Sequence, residues 1–310
     1  MKYLRYYNRA IQLTIFLLLI LTIGVLGYSM IVTLVPLITG VPMASITNIT
    51  DQTPLEIIRV AIVSFGMGNL FMFMIPSLIF AYLMHPEPLR YLGIHKVKPV
   101  LFYILPITLM LGAIPVLQLI QHFMSLLPFS AELKASQAEQ EKVTQALMKM
   151  PQFTDFAKAF LIMAIVPAIG EELFFRGIFM RFIDHATKNR YYATFFSAII
   201  FSYAHSNVYG LLSIFLAGSI LAYIYYVTGS LICSMIAHLS FNGVQIISEY
   251  ITPTVKATQA TPTYQTSDYL IIIGGTALFI VSLLLLQKMK QPLPKNWSDN
   301  FDTDPSSTTA

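Results

Sequence analysis

Long apolar runs separated by short polar segments dominate the chain. The runs cover roughly residues 11–37, 60–84, 99–123, 156–181, 191–206, 210–227, 230–248 and 268–287. A helix that crosses a bilayer needs about 20 mainly apolar residues. In lipid, the backbone polar groups of such a run must be hydrogen bonded within the protein, which favours helices. The pattern therefore predicts an all-α fold, a polytopic membrane helix bundle with about eight transmembrane helices.

Composition supports this prediction and excludes other classes. Of 310 residues, 56% are hydrophobic and only 11% are charged, whereas a soluble domain is about a quarter charged. The net charge of +4 comes from basic residues that flank the apolar runs, so it does not indicate a nucleic-acid partner. A single cysteine, Cys233, excludes a disulfide within the chain. The expected surroundings are the lipid bilayer.

The basic residues also predict the orientation. If the N-terminus is cytoplasmic, only six of the nineteen Lys and Arg residues lie outside, at Arg59, Lys134, Lys142, Lys149, Lys158 and Lys256. This bias follows the positive-inside rule, and an even number of spans agrees with it. The first run is too long for a signal-peptide core. We therefore expect an integral protein of the plasma (inner) membrane with both termini in the cytoplasm.

We divide the chain into four segments: 1–154 with the first helices and a polar loop, 155–248 as the catalytic core, 249–287 as a loop and the last span, and 288–310 as a disordered cytoplasmic tail. Residues 130–150 are polar and favour a helix, with Ser130 as its N-cap. This helix is interpreted either as a solvated connector or as a gate over a substrate entrance.

Two adjacent acids interrupt the fourth apolar run, in the text IVPAIGEELFFRG at residues 165–177. A carboxylate at membrane depth costs at least ~2.5–3.5 kcal/mol on insertion scales, so Glu171 and Glu172 require an explanation. Arg176 follows Glu172 by four residues, which puts both on one helix face as a pair. Glu171 then remains free to face another helix.

Two later apolar runs carry polar residues with the same spacing. His205 follows Phe201 by four residues, and Asn242 follows His238 by four, so each pair shares a helix face. If the three helices converge, a carboxylate beside an imidazole can activate water. An imidazole and an amide can then stabilise an oxyanion. Such a set would hydrolyse an acyl bond without a covalent nucleophile.

Each motif also has a structural explanation. A Glu-Glu pair at a helix end is commonly capped or solvated, and Glu172 with Arg176 is a structural ion pair. His205, or His238 with Asn242, serves equally well as a hydrogen-bonding contact between membrane helices. The residues alone leave the catalytic and structural interpretations open.

The ordered set resembles the three motifs of the CAAX-protease and bacteriocin-processing (Abi) family of intramembrane proteases. These motifs are Glu171-Glu172-x-x-x-Arg176, Phe201-x-x-x-His205 and His238-x-x-x-Asn242. The resemblance covers roughly residues 155–248 and implies an active site inside the membrane. It implies that Glu171 and His205 activate water and that His238 and Asn242 form the oxyanion site. Glu172, Arg176 and Phe201 would support them.

The family is often labelled metalloprotease, so zinc is an alternative, with Glu171, His205 and His238 as ligands and an open fourth position. An oxyanion role for His238 competes with a ligand role, and the chain has no His-Glu-x-x-His helix. We therefore expect glutamate-type catalysis without a metal or other cofactor. The resemblance implies a peptide or membrane-protein substrate, with or without a lipid anchor, but family membership does not identify it.

Two other function classes use the same buried groups. One is a non-enzymatic membrane immunity or scaffold protein that binds a peptide or partner, and the other is a proton- or ion-coupled transporter. The sequence has no internal repeat of the kind that transporters show. The intact motifs favour an intramembrane endopeptidase over both.

Overall fold

In the computed structural model, the described residues are 3–50, 52–253, 266–293 and 297. Within these ranges all regular structure is helical, and no strand is present. The main helices are α1 (Arg9–Thr39), α2 (Leu55–Met84), α3 (Leu101–Ser125), α4 (Ala131–Leu147), α5 (Phe153–Thr187), α6 (Arg190–Ala204), α7 (Leu211–Thr228), α8 (Leu231–Ile251) and α9 (Thr266–Met289). The all-α prediction is confirmed.

Seven of these helices are long and apolar enough to cross a membrane. The two shorter or more polar helices are α4 and α6. With 15 residues, α6 is about 22 Å long at ~1.5 Å per residue, whereas the hydrocarbon core is about 30 Å thick. The predicted fifth span is therefore a 15-residue helix, shorter than the hydrocarbon core is thick, and the described residues contain seven helices with the length of a span, close to the expected number of about eight. The predicted cytoplasmic location of both termini requires an even number of spans, and it would therefore require α6 to cross the membrane as well.

The helices pack in two groups that share α7. Apolar side chains of α1, α2, α5 and α7 form one core, which includes Phe16, Phe80 and Ile178. A second core joins α3, α7, α8 and α9. In the second group, α3 and α9 pack closely where Gly112 faces Gly275. A Cβ at Gly112 would lie only 2.7 Å from the backbone oxygen of Gly275. Small residues of this kind let membrane helices pack backbone to backbone.

Two helices that later contribute to the site contain π-helical turns followed by proline. In α2 the π turn spans Leu70–Met74 and precedes Pro76. In α5 a π turn at Leu161–Ile165 precedes Pro167. Proline has no N–H to bond the carbonyl four residues earlier, so the preceding turn widens. The α5 helix has a second π turn at Leu173–Phe179, directly after the two glutamates.

The polar segment 130–150 forms the predicted helix, α4. The Ser130 hydroxyl accepts a hydrogen bond from the Leu133 N–H (3.3 Å) and caps the first turn. Hydrogen bonds from its own backbone and from Ser130 lower the pKa of the Glu132 carboxyl. At the other end, Ala146 and Leu147 pack into an apolar cluster with α1 and α2. The helix is therefore anchored to the bundle at its C-terminal end.

The first residues of the predicted disordered tail, 288–310, form backbone hydrogen bonds with α7. The Gln291 N–H donates to the Val227 carbonyl (2.7 Å), and the Leu293 N–H donates to the Tyr226 carbonyl. Trp297 is buried. Leu293 and Trp297 are apolar residues in a mainly polar segment, so the average polarity of the tail did not indicate their contacts. Residues 294–296 and 298–310 lie outside the described residues, as do 254–265 of the predicted loop.

Candidate active site

The two glutamates lie on α5 between its two π turns, and both are buried. They face different partners because adjacent helical residues are about 100° apart. Glu171 points toward α2, α6 and α8, whereas Glu172 pairs within α5 and with α8. The convergence of three motif-bearing helices, which the spacing alone left open, is present.

Glu171 has two carboxylate oxygens in different environments. Its Oε1 accepts a hydrogen bond from the Asn69 Nδ2 of α2 (3.1 Å). Its Oε2 is buried without a hydrogen-bond partner and lies 3.9 Å from both His205 Nε2 and His238 Nε2. These separations exceed hydrogen-bond length. The lone pairs of Oε2 are therefore available to a reactant that enters between the imidazoles.

His205 occupies the C-cap of α6, at the end of this 15-residue helix. Its Nδ1 lies 2.7 Å from the Phe201 carbonyl oxygen. A carbonyl only accepts, so Nδ1 carries the proton and donates it to this bond. In the neutral imidazole, Nε2 then carries a lone pair on the side facing Glu171. The Phe201-x-x-x-His205 spacing thus fixes the tautomer of the histidine.

His238 is held by a buried polar network. Its Nδ1 lies 3.0 Å from Glu172 Oε1, and Glu172 also accepts from Arg176 Nη1 (2.6 Å) and Ser234 Oγ (2.5 Å). Arg176 donates a further bond to the Gly218 carbonyl (2.8 Å). The predicted pair of Glu172 and Arg176 therefore exists and also orients His238.

The Phe201 ring lies between the buried Arg176 and the two histidines. Its ring lies 4.5 Å from the Arg176 guanidinium, a cation–π distance. Its ring centroid is also 4.6 Å from that of His205 and 5.9 Å from that of His238. A Cβ at Gly218 would approach this ring to 3.0 Å, so glycine keeps the space that Phe201 occupies.

A cavity of about 970 Å³ opens beside these groups, and His205, His238 and Asn242 lie in its wall. Other wall residues come from α3, α4 and α7. Its volume is at the upper end of the usual range for ligand pockets, about 300–1,000 Å³. The α4 residue Gln137 lines the cavity, and its Oε1 accepts from the Val208 N–H (3.1 Å), three residues after His205.

Two contacts of the site were missed in the sequence, those of Asn69 and Ser234. Ser234 precedes His238 by four residues on α8, so the helical spacing contained a signal for it. Asn69 contacts Glu171 across 102 positions of sequence, and no local pattern indicates such a contact.

The zinc alternative is tested by the donor set. Both histidines have Nδ1 engaged and Nε2 directed at Glu171, an arrangement compatible with a base or with a metal ligand. Among the residues that the structure describes, however, no group of three His, Cys, Asp or Glu side chains is arranged to hold a metal ion. Catalysis without a metal stays a prediction.

Residues 153–244 match the family model described as type II CAAX prenyl endopeptidase Rce1-like. This segment is similar to the type II CAAX prenyl endopeptidases. The match starts at the first residue of α5, ends within α8, and contains all three motifs, close to the predicted range 155–248. Searches of curated proteins and of solved structures each found no match. The seven long apolar helices, together with the match to a membrane-protease family, make this an integral, multi-pass membrane protein.

Proposed function

We propose that this protein is an intramembrane endopeptidase that hydrolyses peptide bonds with water activated by Glu171. The observation that carries the proposal is the buried, unpartnered Oε2 of Glu171, 3.9 Å from the Nε2 atoms of His205 and His238. These two histidines line a cavity of about 970 Å³. A hydrolase requires a base, a donor for the oxyanion and room for the substrate.

In the proposed reaction, a water molecule lies between Glu171 and the scissile carbonyl. Glu171 accepts a proton from the water, assisted by His205, as the water oxygen bonds to the carbonyl carbon. The carbonyl π electrons move to the oxygen, which receives hydrogen bonds from His238 and Asn242. The C–N bond then breaks, and Glu171 returns its proton to the leaving amine. The products are a carboxylic acid and an amine, and the glutamate is regenerated.

The network around Glu172 prepares His238 for this role. Because its Nδ1–H is donated to Glu172 (3.0 Å), His238 can donate from Nε2 only as the imidazolium. The Glu172 carboxylate stabilises that cation. Asn242 can donate without a change of protonation, since its amide N–H₂ is always a donor. Arg176 and Ser234 keep Glu172 in place and therefore act on His238 through it.

The proposed substrate is a peptide or a membrane-protein segment that enters the cavity past α4, whose residues form part of the cavity wall. The position of Gln137 in the cavity wall and its bond to Val208 support the gate interpretation of α4 over the solvated connector. A lipid anchor on the substrate and location in the plasma (inner) membrane stay predictions.

The test is cleavage of a diverse peptide and lipopeptide library by protein in liposomes, with products identified by mass spectrometry. Glu171→Gln keeps the side-chain shape and removes the base. We expect product formation to fall by about 10²–10⁴-fold, the usual contribution of a general base. The matched control is Glu249→Gln on α8, eleven residues beyond His238, which should cleave at the wild-type rate.

A chelator arm tests zinc in the same assay. Products that persist with chelator and vanish in Glu171→Gln support the proposal. Loss with chelator that zinc restores would instead assign Glu171, His205 and His238 as ligands. Equal products from wild type and Glu171→Gln would refute base catalysis. A library with no variant-sensitive product would favour the immunity or scaffold protein that binds without cleaving.

A further inference from the structure

A residue outside the matched family segment contacts the proposed base. Asn69 lies on α2, where its Nδ2 donates to Glu171 Oε1 at 3.1 Å. Between Val60 and Met84 this helix has no charged side chain, and Asn69 is its only carboxamide. A lone carboxamide in an apolar span is costly unless its polar atoms find partners. Its partner here is the carboxylate at the centre of the site.

Chemistry fixes which end of the amide faces Glu171. An ionised carboxylate only accepts hydrogen bonds, so the NH₂ end must point to it. The Asn69 Oδ1 then turns toward the α5 backbone, where it is buried without a hydrogen-bond partner. A Cβ at Gly170 would lie 2.8 Å from this oxygen. The absence of a side chain at Gly170 therefore gives Asn69 the space to reach Glu171.

The two helices are in close contact on both sides of this bond. One turn earlier on α2, a Cβ at Gly66 would lie 2.6 Å from the Ile162 side chain of α5. The π turn of α2 starts directly after Asn69. The backbone positions of α2 and α5 are thus determined at the level of Glu171, and the Asn69 side chain has little freedom to turn away.

We propose that Asn69 is a positioning residue that holds Glu171 Oε1 so that Oε2 faces His205 and His238. The two oxygens of a carboxylate exchange by rotation about the last side-chain bond, so a fixed donor on one of them selects the orientation of the other. The inference rests on the proposed role of Glu171 as the base. It extends the site to the N-terminal half of the chain, which carries none of the three motifs.

Two substitutions separate hydrogen bonding from packing. Asn69→Leu keeps a similar shape without the donor, and Asn69→Asp keeps the shape but puts an acceptor against Glu171. We expect kcat to fall about 10- to 100-fold in Asn69→Leu, the size of a hydrogen bond to a charged group, with KM unchanged within about twofold. Asn69→Asp should lose more, and Asn69→Gln, which retains the NH₂ group, should lose less.

The matched control is Ser64→Ala on the same helix. Ser64 is buried, and its hydroxyl bonds the Val60 carbonyl of its own helix (2.9 Å) rather than the site. This variant should retain wild-type kcat. A second route to the same displacement is Gly170→Ala, whose new Cβ would push Asn69 Oδ1 without altering Asn69 itself. It should also lower kcat, and it keeps the proposal testable if Asn69→Leu does not fold.

A spectroscopic readout tests the contact without any substrate. The chain has eight glutamates, so protein with ¹³C-labelled glutamate carboxyls gives few resonances, and the Glu171 resonance is the one absent from Glu171→Gln. It should move in Asn69→Leu and stay in place in Ser64→Ala. An unmoved resonance or an unchanged kcat in Asn69→Leu would overturn the inference. A resonance that moves in Asn69→Leu, while the wild-type protein cleaves nothing, would uphold the contact and refute the proposed function.

Discussion

The ion pair of Glu172 and Arg176 allows a quantitative test of the network around His238. Both side chains are fully buried, and Arg176 Nη1 lies 2.6 Å from Glu172 Oε1. Arg176→Met removes the cation and leaves Glu172 buried with only Ser234 and His238 as donors. Removing one partner of a buried pair typically costs about 3–5 kcal/mol, because the remaining charge is uncompensated. We expect Arg176→Met to lose about that much unfolding free energy.

Removing both charges should cost less than removing one. In Glu172→Gln/Arg176→Met the buried charge is gone, and the glutamine oxygen can still accept from His238. Replacement of a whole buried pair by neutral groups is often close to neutral in stability. The double variant should therefore regain much of the loss, so its loss should be smaller than the sum of the two single losses in a double-mutant cycle.

The assay is denaturant unfolding in detergent micelles, followed by far-UV circular dichroism and by fluorescence of the single tryptophan, Trp297. Coincident transitions from the two probes justify a two-state analysis. Arg90→Met is the matched control, because Arg90 pairs with Glu87 at 3.1 Å with both side chains exposed. Exposed pairs contribute little. The reasoning is refuted if Arg176→Met loses no more stability than Arg90→Met, or if the two single losses simply add.

Two further predictions concern packing. Gly275→Val should cost about 1–3 kcal/mol of unfolding free energy, because a Cβ at Gly275 would lie 2.9 Å from Pro115 and 3.0 Å from the Gly112 carbonyl. Gly274→Val, with open space at its Cβ, should unfold like wild type. Equal denaturation midpoints would contradict this. Cys233 is fully buried, so a membrane-permeable maleimide should leave it unlabelled in folded protein and label it in SDS; equal labelling rates would disprove this burial.

The motif geometry was predictable because it is local. Residues four apart on a helix share a face whatever the rest of the fold does, which is why Glu172 with Arg176 and Phe201 with His205 interact as expected. The sequence did not show that the three motif-bearing helices converge. It indicated only what their residues could do if the helices met. Asn69 was beyond prediction because its contact with Glu171 depends on which faces of two distant helices meet.

The short length of α6 and the contacts of Leu293 and Trp297 went unpredicted for related physical reasons. Hydropathy measures the cost of exposing a segment to water, and it does not report how deep the segment reaches. An apolar run at 191–206 therefore resembled a span, although its helix ends at Ala204 to put His205 beside Glu171. In the tail, average polarity concealed Leu293 and Trp297, because two well-placed apolar side chains are enough to anchor a short segment.

The anchored tail has a consequence for biogenesis. Trp297 is not among the proposed catalytic residues. Its carbonyl accepts a hydrogen bond from Arg181 Nη1 (3.2 Å), and Arg181 belongs to the same helix as Glu171. Trp297 is synthesised after every membrane helix of the bundle. The hydrogen bond from the glutamate-bearing helix to Trp297 can therefore form only after translation has passed this point. A nascent chain shorter than 297 residues would lack this contact.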